Sequence, residues 1–504
     1  MKLDADACYR ALATRDARFD GRLFVGVKTT GIYCRPICPA RTPKRENVAF
    51  FPTAAAAQEA GFRPCLRCRP ESAPDLGAWR GASITVSRGL ALIEAGALDG
   101  GDLESLADRL GVGGRHLRRL FHAHLGASPI AVAQTRRVLL AKQLIHETSL
   151  PMTQVALASG FSSLRRFNET FQALYGRPPA ALRRTRGGAL PTEKDGVRLT
   201  LPYRAPYDWD ALIGFLGDRA IGGVEVVTPH RYVRAISLEG QTGLLAVSPD
   251  SRDRLNVVIR FPRLAALPAI IARVRRIFDL AADPGAIADH LGHDPDLAQC
   301  VAARPGLRVP GAWDGFELAV RAILGQQISV AAATALASRL AADFGAPISA
   351  DMGGLEGGVT HAFPTPDALS GADLSILPMP RARSSALASL ARAAVADPSL
   401  FDPRGDPARS IAKLTALPGV GAWTANYIAL RALRDPDAFP AADVGLQRAL
   451  TGADGIRPSA VALEARSQAW RPWRAYAALH LWTNPEPASP GRLDPGVRND
   501  RRAA

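Results

Sequence analysis

Four of the six cysteines in this 504-residue sequence fall within 35 residues, as Cys34-x3-Cys38 and Cys65-x2-Cys68 with 26 residues between the pairs. Two close thiol pairs supply what a tetrahedral four-thiolate zinc site needs, and six cysteines in so long a chain are too few for a disulfide scaffold. Such a site can be purely structural. Alternatively, one sulfur can serve as a nucleophile, because zinc keeps a thiol deprotonated at neutral pH. A second constellation stands far along the chain, where Leu417-Pro418-Gly419-Val420-Gly421 predicts a hairpin opening the helix Ala422-Trp423-Thr424-Ala425-Asn426-Tyr427. The glycines at 419 and 421 allow the backbone to approach a phosphate closely. Asp443 follows Gly421 by 22 residues, in Phe439-Pro440-Ala441-Ala442-Asp443-Val444. A carboxylate in that apolar setting can be a helix cap or a catalytic charge.

The elements that must position these groups are divided by composition. The net charge of +15 sits mostly in residues 1–190, with 28 Lys+Arg against 15 Asp+Glu; residues 191–504 hold 34 against 32. A basic first part attracts polyanions by counterion release, nucleic acid above all. Hydrophobic residues make up 47% of the chain and charged residues 22%, which excludes wholesale disorder, and no apolar run approaches the roughly 18 residues of a membrane span. The start, Met1-Lys2-Leu3-Asp4-Ala5-Asp6, leads into no apolar segment, so a cytoplasmic, nucleoid-associated protein without membrane contact is expected. Seams at Pro70–Pro74, Arg183–Gly188 and Asn484–Pro487, with β-rich runs confined to residues 198–261, set the expected domains. They are 1–75, 83–186, 198–275 and 276–483, followed by a disordered tail, 484–504; a loop is expected near 353–358.

Residues 83–186 carry a diverged repeat: Ala107 and Gly111 recur as Ala156 and Gly160, and Phe121, Gly126 and Pro129 recur fifty places on as Phe171, Gly176 and Pro179. The pattern predicts two helix-turn-helix units joined by a helix from Ile130 to His146. In the second unit Thr153 and Ser162 are the expected caps, and Leu164, Phe167, Phe171 and Leu174 the buried stripe. Arg165, Arg166 and Asn168 occupy the outer face, as Arg115, Arg118 and Arg119 do in the first unit, where they could reach phosphates or base edges.

The run Thr29-Thr30-Gly31-Ile32-Tyr33-Cys34-Arg35-Pro36-Ile37-Cys38-Pro39-Ala40-Arg41, with Gly61-Phe62-Arg63-Pro64-Cys65-Leu66-Arg67-Cys68, resembles the N-terminal domain of Ada adaptive-response proteins. The resemblance implies a zinc-bound Cys34 that takes a methyl group from a DNA methylphosphotriester, with Cys38, Cys65 and Cys68 as the other ligands and Arg41, Arg63 and Arg67 near phosphates. The doubled helix-turn-helix is similar to the AraC-type domain of the same proteins, which implies promoter binding and RNA polymerase as a partner. The Pro-Cys-His-Arg motif of their O6-methylguanine domain does not occur here, so that activity is not expected. Residues 198–483 instead resemble AlkA, the 3-methyladenine DNA glycosylase II. That implies Asp443 as the catalytic carboxylate, Trp423, Tyr427 and Trp482 around a flipped base, Gln327 as the wedge in the duplex, and no lyase activity, since the helix after the hairpin lacks a lysine.

The expected fold is therefore multidomain: a small α/β zinc domain, an all-α double helix-turn-helix domain, and an α+β glycosylase with an antiparallel sheet and a helix-hairpin-helix core. The expected function joins repair of alkylated double-stranded DNA to transcriptional regulation. The rival is a transcription factor with structural zinc and a catalytically silent glycosylase-like module.

Overall fold

The computed structural model describes residues 4–74, 84–94, 96–183, 196–250, 253–349, 358–402, 406–451 and 455–483. Of the expected loop near 353–358 all but Gly358, and the whole of the tail 484–504, lie outside them. Helix α1 (Ala5–Ala13), capped by the Asp4 carboxylate, precedes a sheet of β1 (Phe24–Val27), β2 (Ile32–Cys34), β3 (Val48–Phe51) and β4 (Arg63–Pro64). Its order is β3-β1-β2-β4, with α2 (Ala54–Glu59) packed against it. The pairing of β2 with β4 is parallel and sets Tyr33 opposite Pro64. Both strands thus run out at the same end of the sheet, and the next residues are Cys34 and Cys65. This register brings together two cysteine pairs that lie far apart in sequence.

The all-α region starts with α3 (Ile84–Glu94), α4 (Leu103–Leu110) and α5 (Gly114–Leu125). The long α6 (Pro129–Glu147) joins these to α7 (Met152–Ala158) and α8 (Leu164–Tyr175). Leu106, Ala107, Leu110, Leu117 and Phe121 form one small core, and Val155, Ala156, Phe161, Phe167 and Phe171 belong to another. Two cap assignments are corrected. Helix α7 starts at Met152 after Pro151, placing Thr153 inside its first turn, and Ser163 rather than Ser162 accepts the Arg166 N–H at 3.2 Å. Neighbouring serines differ only in backbone conformation, and the extended one, here Ser163, is the cap. Leu164 is exposed, so the buried stripe of α8 is Phe167 and Phe171. Gly160 (φ +88°) makes the turn between these helices, where a Cβ would meet the Asp99 carboxylate at 2.3 Å. Asp99 itself pairs with Arg136 and Arg137 of α6.

A five-stranded antiparallel sheet follows: β5 (Val197–Pro202), β6 (Glu225–Thr228), β7 (Arg231–Leu238), β8 (Gln241–Asp250) and β9 (Arg254–Arg260), ordered β5-β9-β8-β7-β6. Helix α9 (Trp209–Gly217) crosses between β5 and β6, and α10 (Leu267–Ile277) packs with the sheet. The sheet, α10 and the second helix-turn-helix unit share one continuous apolar core, from Val138 to Trp313. The remaining helices form a bundle: α11 (Pro284–Leu291), α12 (Ala298–Ala303), α13 (Gly315–Leu324), α14 (Val330–Phe344), α15 (Pro366–Ser370), α16 (Arg381–Ala396), α17 (Pro407–Thr415), α18 (Ala422–Ile428), α19 (Val444–Ala449), α20 (Ala460–Arg466) and α21 (Arg474–Thr483). Among the described residues no helix is long and apolar enough to cross a membrane.

Sheet and bundle meet on a buried ionic network. Arg234 of β7 pairs with Glu317 of α13 at 2.7 Å, and Arg321 of α13 with Glu225 of β6 at 3.2 Å. Burial alone would raise the Glu225 carboxyl, but Arg321 and Arg234 outweigh it and hold it below the ordinary glutamate range. Its contribution to stability is therefore present at neutral pH and lost as pH falls through that lowered value. Replacing Glu317 by alanine takes from the buried Arg234 its nearer carboxylate and leaves Glu225, 3.5 Å away, beside the Ala235 carbonyl and the Tyr232 hydroxyl. We expect a loss of about 3 kcal/mol, the lower end for breaking a buried pair, read as a shift in the urea midpoint of tryptophan fluorescence. An unchanged midpoint would mean that the remaining partners satisfy the guanidinium.

Candidate functional site

The four cysteine sulfurs lie within 4.8 Å of one another. A zinc–sulfur bond of about 2.3 Å implies tetrahedral edges of roughly 3.8 Å, so the donor set fits zinc with little movement. Backbone N–H groups support it: Arg35 donates to Cys68 Sγ at 3.4 Å and Arg67 to Cys65 Sγ at 3.3 Å. Hydrogen bonds from the Cys34 S–H to the other three sulfurs, together with burial, push the Cys34 thiol up. Four thiolates this close repel one another, and a bound divalent cation is what would offset that repulsion. Cys38, Cys65 and Cys68 are buried, whereas Cys34 is partly exposed. A cavity of about 310 Å³ opens on the cluster, and Arg41, Arg63 and Arg67 all line it.

The outward arginines of the two helix-turn-helix units stand as the sequence suggests. Arg115, Arg118 and Arg119 on α5, and Arg165, Arg166 and Asn168 on α8, are exposed, while Leu117, Phe121, Phe167 and Phe171 on the same helices are buried. Two basic faces therefore project from separate cores, the first small and the second continuous with the core of the sheet. Arg165 is partly occupied by Glu169 one turn on, at 2.7 Å.

The third constellation converges on a cavity of about 940 Å³ between α9 and the bundle. Asp443 caps α19: its Oδ1 accepts the Leu446 N–H at 3.0 Å and the Trp482 indole N–H at 2.9 Å, and its Oδ2 accepts the Trp423 indole N–H at 2.8 Å. The carboxylate that caps the helix is thus also the one that lines the cavity. Three donors fix its orientation. Trp423 stacks on Tyr427 (5.3 Å between centroids, 8°), and Tyr427 meets Trp482 edge-on at 6.4 Å. All four residues line the cavity. The hairpin before α18 carries Gly419 at φ +78°, where a Cβ would lie 2.7 Å from that of Ala386. Gly421 caps α18 and is exposed.

Gln327, between α13 and α14, is exposed and held at φ +59°. A non-glycine residue there stores of order 1–3 kcal/mol of strain, which its surroundings must enforce. Gln326 does so, its amide donating to Gly419 O at 2.9 Å and Thr424 Oγ1 at 3.1 Å while Arg383 donates to its carbonyl at 2.5 Å. Wedge candidate and hairpin are one rigid unit. Sequence reasoning missed Gln326, and it missed three further residues lining the cavity. Phe215 of α9 and Arg219 in the turn just after it come from far away in the chain, with the Arg219 guanidinium 3.8 Å from the Phe215 ring centroid. Arg431, on a π-helical turn after α18, donates to Pro310 O, Gly311 O and Tyr427 OH at 2.9, 3.0 and 2.8 Å. Burial works to raise the Tyr427 hydroxyl, but Arg431, Arg219 and Arg321 hold it below the ordinary tyrosine range. The signal for Arg431 was present, as the lone charge in Ile428-Ala429-Leu430-Arg431-Ala432-Leu433.

Comparison with known proteins agrees with this geometry. Family models match for the metal binding domain of Ada (residues 7–71), a helix-turn-helix domain (106–185), the AlkA N-terminal domain (198–314) and the HhH-GPD superfamily of base excision DNA repair proteins (320–475). A Mycobacterium tuberculosis protein named a probable bifunctional transcriptional activator/DNA repair enzyme AlkA is 43% identical over 490 residues, spanning 96% of this chain and 97% of its own. Escherichia coli DNA-3-methyladenine glycosylase 2 is 36% identical over 287 residues, 56% of this chain and 96% of that protein. The solved 3-methyladenine DNA-glycosylase of Archaeoglobus fulgidus shares the fold of that half, with a TM-score of 0.50 at 22% identity over 56% of this chain and 96% of its own.

Proposed function

Because the chain belongs to the family of bifunctional transcriptional activator/DNA repair enzymes of the AlkA type, we propose that it removes alkyl damage from double-stranded DNA at two centres and reports one of them to a promoter. The observation that carries the reading is Asp443, oriented by two indoles over an aromatic cavity. A 3-alkylated adenine is cationic and already a good leaving group, so it needs no protonation. The carboxylate stabilises positive charge developing on the sugar as the glycosidic bond breaks and orients the incoming water. Trp423, Tyr427 and Trp482 favour a cationic base by roughly 0.5–2 kcal/mol of cation–π attraction. With no lysine in Ala422–Ile428 to attack the sugar, the reaction is hydrolysis without strand cleavage.

At the other centre zinc, when bound by the four cysteines, keeps their sulfurs as thiolates. Cys34 Sγ, the most exposed of them, attacks the methyl carbon in line. The S–C bond forms as the C–O bond breaks, and the phosphodiester departs with the electron pair. The centre's charge falls from −2 to −1, one repulsion from the DNA backbone is lost, and α5 and α8 bind promoter DNA more tightly. A cytoplasmic, nucleoid-associated protein that recruits RNA polymerase fits these substrates. The test is simultaneous assay of methyl transfer and base release on one alkylated duplex. We expect multiple turnovers of released 3-methyladenine and one methyl per chain; neither methyl uptake nor base release would favour the transcription factor with structural zinc, and methyl uptake alone would leave only the glycosylase-like half silent.

Gln327 is proposed as the wedge that fills the space of the flipped nucleotide. A polar wedge offsets unstacking, a few kcal/mol per step, less well than an apolar one, but it can hydrogen-bond the orphaned base. Excision should therefore depend on the opposite base in the wild type and lose that dependence in Gln327→Leu. Identical rates and profiles in wild type, Gln327→Leu and Gln327→Ala would remove Gln327 from the interface.

A further inference from the structure

Helix α6 passes behind the cysteine cluster and places a lysine there that the chemistry above does not use. Lys142 is wholly buried, and its Nζ donates to the Cys65 carbonyl and to Glu71 Oε2, both at 2.7 Å. Burying an ammonium in a helix that could have packed a leucine costs free energy unless the charge is compensated. Glu71 compensates it once. The cluster that would carry −2 with zinc bound lies directly behind the Cys65 carbonyl. From Glu71 the contacts continue. Arg69 joins Glu71 (3.1 Å) to Glu147 (2.8 Å) at the end of α6, and Glu147 accepts the Thr200 N–H at 2.9 Å and its hydroxyl at 3.0 Å. Gln143, one turn along α6, donates to Thr200 O at 2.7 Å. Thr200 is in β5, the edge strand of the sheet that supports the base-excision half.

We infer that Lys142 is a positioning residue for the cysteine centre, and that through α6 it ties the charge of that centre to strand β5. The inference rests on the reading of Cys34 as a zinc-held methyl acceptor. A centre of charge −2 holds the ammonium more tightly than one of −1, so methylation loosens α6 from the cluster and, by linkage, the Glu147–Thr200 contact. Residues around a metal's ligands commonly change its affinity 10–100-fold when removed, and Lys142→Met is expected to weaken zinc binding by roughly that factor.

The test uses the full-length, metal-loaded protein. In the cobalt-loaded form the thiolate-to-cobalt absorption band should move to longer wavelength in Lys142→Met, because the nearby cation no longer stabilises the sulfur lone pairs. It should stay in place in Lys142→Arg, which also reports whether position 142 tolerates change, and in Glu147→Gln. Hydrogen exchange in peptides covering 138–147 and 197–202 should quicken in the wild type when a methylphosphotriester oligonucleotide has methylated it. Lys142→Met should show no such response, and Glu147→Gln should respond in α6 but not in β5. An unmoved band together with unchanged zinc affinity in Lys142→Met overturns the positioning role. A wild-type β5 indifferent to methylation overturns the link. Should Cys34 take up no methyl at all, the acceptor reading fails by itself, while the band and the zinc affinity still decide what Lys142 does.

Discussion

Asp443→Asn is expected to lower release of 3-methyladenine by at least roughly 10²–10³-fold, the usual cost of removing a preorganised electrostatic stabiliser from a transition state, with much smaller effects on folding and on binding to an abasic duplex. The substitution removes the charge that faces the oxocarbenium-like sugar. It does not conserve every contact, however. Oδ1 and Oδ2 each accept an indole N–H, from Trp482 and Trp423 respectively, whereas an asparagine offers one acceptor oxygen and one donor NH2. Whichever way the amide is turned, one indole faces a donor. A shift in tryptophan emission should therefore accompany the loss of activity, and Asp443→Ser, too short to reach both rings, should show both effects. If the asparagine variant excises at near wild-type rate, another carboxylate is catalytic. Asp210 of α9 and Asp218, its C-cap, also line the cavity and would be the next to change.

What could be seen in the sequence was whatever is encoded by local spacing. The cysteine pairs, the glycine hairpin and the aromatic positions on α18 are each local patterns, and each names its own chemistry. The chain does not spell out the residues that reach these groups from elsewhere. Phe215 and Arg219 enter the cavity because α9 crosses from the sheet half, and Lys142 reaches Cys65 across 77 positions. Nothing in the apolar periodicity of α6 distinguishes a lysine turned inward from one in solvent. Cap positions were missed by a residue or so for another reason. Ser162 and Ser163 have the same side chain, and only the backbone conformation selects the donor they serve.

Cys34→Ser should give the reverse result, with methyl uptake falling to background while base release persists. A serine hydroxyl stays protonated at neutral pH and is a poor nucleophile toward a methyl carbon, and three thiolates remain to hold the metal less tightly. Intact-mass and peptide mass spectrometry after incubation with a methylphosphotriester duplex should place about +14 Da, one methyl for one proton, on the peptide holding Cys34 in the wild type and nowhere in the variant. Serine at Cys38, Cys65 or Cys68 should act differently, because these three residues are buried. Their loss should release zinc and unfold the module, so methyl uptake would fail together with its structure. Cys34 is the one position where acceptance can be removed with the sheet left standing. The same variant tests the promoter switch: with three thiolates its zinc-loaded centre would carry −1, as the methylated one does, so it should bind operator DNA more tightly than the unmethylated wild type without taking up a methyl. The methylated wild type should bind more tightly at low salt, with a difference that narrows as salt screens the charge. Label on another cluster cysteine would refute Cys34 as the acceptor, and equal operator affinity before and after methylation at every salt concentration would leave α5 and α8 as constitutive DNA binders.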